Sequence, residues 1–126
     1  MSFATPIARA RGLGSAKEGV EHFKWQRITA IGNLGLALWF VWSMVALGGA
    51  DHAALAAWLG STINAALMIL LVLSTFAHAK LGCQVIIEDY VHRTGVKVAA
   101  LTALTLAVYA LATACVVAIL KVALSG

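Results

Sequence analysis

The chain has 126 residues, of which 62% are hydrophobic and only 11% charged, and it carries a net charge of +4. Such a chain is too apolar for a water-soluble protein of this size, and its length allows one domain at most. The positive charge falls outside the longest apolar stretches, so it reads as a membrane-topology signal and excludes a nucleic-acid partner presented on a soluble face.

Three long runs carry no charge: Ile28–Ala50, Ala53–Ala79 and Val98–Leu120. Each exceeds the ~20 residues a helix needs to cross the hydrocarbon, whereas a membrane barrel needs at least ~8 strands of alternating polarity. The expected fold class is therefore an all-α membrane protein with three transmembrane helices, spanning about 28–50, 53–88 and 97–121. The first run starts too late and is too long to be the apolar core of a cleaved signal peptide.

Residues 1–27 read as an amino-terminal arm, with Pro6, Gly12 and Gly14 marking a loosely ordered start. Ser15-Ala-Lys-Glu18 fits a capping box, which predicts a short interfacial helix from Ala16 to about Gln26 and then a bend into the first span. The first span holds Thr29, Gly32, Asn33 and Gly35. The small residues allow close helix packing, and Asn33 calls for an interhelical partner. Gly48-Gly49-Ala50-Asp51-His52 is the turn signal before the second span, so the two spans form an antiparallel hairpin. In the third span, Thr102, Thr105, Tyr109 and Thr113 share a side and suit packing or bonds to their own helix. Cys83 and Cys115 have no metal-type spacing and read as packing residues.

Lys and Arg set the orientation. Arg9, Arg11, Lys17, Lys24 and Arg27 precede the first span, Lys80, Arg93 and Lys97 flank the second connection, and only Lys121 lies at the opposite end. This bias puts the amino terminus and the Asp89 region on the cytoplasmic side of a bacterial inner membrane, or less readily the matrix side in a mitochondrion. Trp25 and Tyr90 then mark the inner interface, and Trp42 and Trp58 the outer one.

The second span concentrates the chemistry. His78 and Asp89 are eleven residues apart, about 16 Å along a helix and within about 20° in direction. Asn64, Ser74 and Gly82 lie near the same face. An ionisable group in an apolar span is costly, so it marks a functional candidate. His78 is the one histidine inside a span. It either hydrogen-bonds to a neighbouring helix or offers an axial nitrogen to haem iron, with Gly82 and Ser74 keeping that face close-packed. His22, His52 and His92 fall in polar segments and read as solvated surface. Arg27, at about the depth of His78, suits haem propionates or lipid phosphates. Asp89 and Tyr90 are either ordinary interfacial residues or a quinone site, the phenol donating to a carbonyl oxygen and the carboxylate relaying protons. Three short helices enclose little interior, so any site would be completed by other chains.

The H-x3-G-x6-D-Y arrangement of His78, Gly82, Asp89 and Tyr90, with the entry Gly19-Val20 and Arg27-Ile-Thr29-Ala30, resembles the hydrophobic membrane anchor subunit of succinate dehydrogenase. The resemblance covers nearly the whole chain. It implies half of a six-helix membrane domain, shared with a cytochrome b subunit, that holds an iron–sulfur subunit and a flavoprotein subunit. It implies His78 as ligand to a haem b shared with the partner, Tyr90 and Asp89 at a ubiquinone site, and Arg27 near both. The chain would have no complete active site alone, and assembly of such complexes into trimers is left open. Two other readings are a small subunit of a proton or ion transporter, using Asn64, Ser74, His78 and Asp89 as a polar path, and a purely structural anchor.

Overall fold

The computed structural model describes residues 13–125, with side chains from Gly19 onward. Of residues 1–14, read from the sequence as a loosely ordered start, Leu13 and Gly14 are helical and 1–12 lie outside the described residues, as do the side chains of the capping box. Four helices follow in order: α1 (Leu13–Leu47), α2 (His52–Leu59), α3 (Thr62–Tyr90) and α4 (Thr94–Ser125). Among the described residues there is no strand, and α1, α3 and α4 are long and apolar enough to cross a membrane.

Helix α1 departs from the expected interfacial helix and bend. Among the described residues it is one uninterrupted helix of 35 residues, already helical at Leu13, ahead of Ala16. At ~1.5 Å per residue it is about 52 Å long, well beyond the ~30 Å of hydrocarbon. Nothing in the sequence breaks it where the bend was expected, since no proline or glycine lies between Val20 and Ile31. The Thr29 hydroxyl also bonds back to the carbonyls of Trp25 at 2.9 Å and Gln26 at 3.1 Å, across the junction. Polar side chains change what surrounds a helix without ending it.

Gly48 and Gly49 terminate α1 at φ +59° and +73°, the left-handed region that glycine enters without a Cβ penalty. The Gly48 amide closes the helix end on the carbonyls of Met44 and Val45. Asp51 then caps α2, its Oδ1 accepting from the Ala54 amide at 3.0 Å.

The second apolar run is not one helix. Helix α2 stops after Leu59, and α3 begins at Thr62 beyond Gly60-Ser61. The Gly60 amide donates to the carbonyls of Ala56 and Ala57, and a Cβ at Gly60 would sit 3.2 Å from the Ala57 oxygen. Asn64 Nδ2 bridges the break by donating to the Trp58 carbonyl at 2.9 Å. Trp58 stacks on Trp39 of α1, with centroids 5.4 Å apart. The hairpin of spans one and two therefore exists, but it turns through a short helix that packs on α3 and α4.

Helix α3 is the middle element, packed against α1 on one side and α4 on the other. It is joined to α4 by only three residues, 91–93. Among the described residues, Leu59, Ala112, Ile119 and Ser43 are buried, and none of these is on α3. A row of helices whose central member buries nothing has no core of its own, so bilayer or other protein covers its apolar surface.

Candidate functional site

The contact between α1 and α3 is a polar seam. Thr29, Gly32 and Asn33 on α1 lie at i, i+3 and i+4, one face of a helix. They meet His78, Thr75 and Ser74, the same spacing read backward along the antiparallel α3. Ser74 Oγ donates to the Thr29 carbonyl at 3.4 Å, and Thr75 Oγ1 donates to Asn33 Oδ1 at 3.5 Å. Thr29 Oγ1 lies 3.1 Å from His78 Nδ1. Gly32 faces Ser74 across this contact, and a Cβ there would sit at an ordinary contact distance of 3.6 Å from Ser74 Oγ. Polar groups that hydrocarbon cannot satisfy find their partners across the helices instead. Asn33 gains the interhelical partner that its sequence position called for.

His78 is half-buried and lines a groove of about 290 Å³ with Phe23, Gln26, Arg27 and Ala30. Residue counting placed Arg27 at the depth of His78, and the two do share this groove. The guanidinium carbon of Arg27 lies 4.8 Å from the Phe23 ring centroid, a cation–π contact one helical turn away. A second groove, of about 620 Å³, is lined by residues of all three spans, among them Trp25, Thr29, Lys80 and Tyr109. Here Lys80 Nζ is 5.6 Å from the Tyr109 centroid.

The other candidates are not drawn into the seam with His78. Asp89 and Tyr90 are exposed where α3 ends, Tyr90 by 78%. Val91 stops the helix in an extended conformation, its amide closing on the Ile87 carbonyl at 3.0 Å. Eleven residues of helix keep Asp89 about 16 Å from His78 along the axis. Gly82 has open space around its Cβ position, so its face of α3 is free within this chain. The Ser74 hydroxyl is directed at the backbone of α1 and sets the helix spacing. Asn64, expected on the His78 face, is committed to the turn at Trp58.

His52 and His92 are exposed, as expected of polar segments. His22 is not: it is half-buried, and its Nε2 has no hydrogen-bond partner among the described residues. Among the described residues no three His, Cys, Asp or Glu side chains cluster as a metal site.

Three helices long and apolar enough to span a membrane, two of them joined by a polar seam, define a multi-pass membrane protein. A sequence model of the family described as succinate dehydrogenase/fumarate reductase transmembrane subunit matches residues 1–119, and the chain belongs to that family. It is 37% identical over 89 residues to the succinate dehydrogenase hydrophobic membrane anchor subunit of Rickettsia bellii, covering 71% of each chain. The anchor subunit of Rickettsia conorii is 31% identical over 90 residues, again 71% of each. That of Paracoccus denitrificans is 30% identical over 90 residues, 71% of this chain and 70% of its own.

Proposed function

We propose that the chain anchors a succinate dehydrogenase in the bacterial inner membrane and lends residues to two sites, a haem b at His78 and a ubiquinone at Asp89 and Tyr90. The observation that carries the haem assignment is the setting of His78. Its Nδ1 is engaged by Thr29, and its ring lines a groove with a guanidinium. This donor set fits a haem: one imidazole nitrogen for the iron, and Arg27 for a propionate. The groove is open in the single chain, so the cytochrome b subunit would close it and supply the second axial ligand. Gly82, one turn along α3, leaves room for that approach. Bound haem would supply a one-electron redox centre.

Quinone chemistry belongs to the end of α3. Reduction to quinol takes two electrons and two protons. The electrons would come from succinate through the flavoprotein and iron–sulfur subunits. Tyr90 donates its phenolic proton in a hydrogen bond to a quinone carbonyl oxygen, and Asp89 passes protons in from the aqueous side. The Lys and Arg bias places this end, with the amino terminus, in the cytoplasm. The chain's share is orientation and proton supply, not a complete active site. The transporter reading loses two of its four polar groups, because Asn64 and Ser74 are bonded to the carbonyls of Trp58 and Thr29.

The test is the reduced-minus-oxidised spectrum of the purified complex carrying His78→Ala. Loss of the haem b band is expected, and full haem content would overturn the assignment.

A further inference from the structure

Thr29 has a hydroxyl with one proton and two lone pairs, and three acceptors or potential acceptors surround it. The Trp25 carbonyl lies at 2.9 Å, the Gln26 carbonyl at 3.1 Å and His78 Nδ1 at 3.1 Å. Carbonyl oxygens can only accept. If the hydroxyl proton turned toward the ring, two carbonyl oxygens would crowd the hydroxyl oxygen with no proton between them. With the proton on the α1 carbonyls, the bond to His78 has the ring as donor, Nδ1–H to Oγ1. The tautomer follows from the hydrogen-bond network. A neutral imidazole protonated at Nδ1 carries its lone pair on Nε2.

We propose that Thr29 is the positioning residue for His78: it holds Nδ1–H and so presents Nε2 as a fixed, unprotonated iron ligand. This rests on the haem reading above and deepens it. Metal-ligating histidines commonly donate their second ring nitrogen to an oxygen, which fixes tautomer and ring orientation and raises ligand basicity. In this chain the oxygen comes from the neighbouring helix, so ligand orientation depends on the α1–α3 register. Ser74, bonding to the carbonyl of the same Thr29 at 3.4 Å, and Gly32, one turn on, keep that register. A basic ligand nitrogen favours ferric over ferrous iron, so removing the acceptor should shift the haem toward easier reduction.

The experiment compares purified complexes carrying Thr29→Val, Thr29→Ala and Thr29→Ser, with His78→Ala as control, by haem content per complex and redox titration of the haem band. Thr29→Val and Thr29→Ala should retain haem and raise its midpoint potential, a tenfold change in ferric preference being about 59 mV for one electron. Thr29→Ser, which restores a hydroxyl, should return the wild-type potential. Unchanged potential in Thr29→Val and Thr29→Ala, with haem lost in His78→Ala, would overturn the role of Thr29 alone. Haem retained in His78→Ala would overturn the haem reading itself. Failure of both Thr29→Val and Thr29→Ala to assemble would assign Thr29 to helix packing and also overturn the proposal.

Discussion

A tyrosine exposed by 78% at the last residue of a membrane helix has its ring where apolar and aqueous phases meet and its hydroxyl free to bond outward. Tyr90→Phe removes only that hydroxyl. One hydrogen bond contributes ~0.5–1.5 kcal/mol net, so kcat/KM for quinone should fall roughly two- to tenfold. Succinate oxidation with a soluble dye acceptor should stay unchanged in the same preparation. Wild-type quinone kinetics in that variant would remove Tyr90 from the site. At this scale the shared depth of His78 and Arg27, which line one groove, was legible in the sequence, because a charged or titratable group is conspicuous beside an uncharged run. The partner of His78 was not. A threonine inside a helix ordinarily bonds back to its own carbonyls, which Thr29 also does. Its second role appears only once the register of α1 against α3 is known.

Among elements, α1 faces α3 closely at Gly32. A Cβ there would make an ordinary contact with Ser74 Oγ at 3.6 Å, so Gly32→Ala should assemble almost normally. Gly32→Leu adds branched carbons that the contact cannot hold without parting the helices. Overpacking of this kind costs about 1–3 kcal/mol. The Leu variant should therefore give less intact complex on native gels, and its haem band should weaken as Thr29 and His78 separate. Near-wild-type yield and haem content would mean that the helices do not need this approach. The three spans were read correctly from their uncharged lengths, whereas two boundaries were not. Gly60-Ser61 carries no charge, so it hid within an apolar run, although the length of that run, beyond ~20 residues, hinted at a second element. The polar start of α1 suggested an interfacial piece, but its charges mark where the bilayer ends and not where the helix does.

For the whole molecule, three spans would put Leu13 and Ser125, the ends of the described helices, on opposite sides of the membrane. The connection at 91–93 then lies on the amino-terminal side. The test is cysteine labelling in intact cells with a membrane-impermeant maleimide, after replacing Cys83 and Cys115 by alanine. Ser125→Cys should react from outside, and His92→Cys only after the membrane is opened. Both positions are exposed within the chain. The reverse pattern would invert the orientation drawn from the Lys and Arg bias. What the sequence could not convey at this scale is how little the chain encloses. Hydropathy records that residues avoid water, but it does not distinguish a lipid-facing leucine from one awaiting another protein.

That α3 buries none of its residues although it is the central helix makes folding a matter of mass action. The isolated chain leaves a half-buried histidine and two open grooves to lipid, and a partner that binds the native arrangement draws it forward in proportion to its own abundance. Whatever holds the three helices together is then shared between their own contacts, the lipid around them and any chain that docks on them.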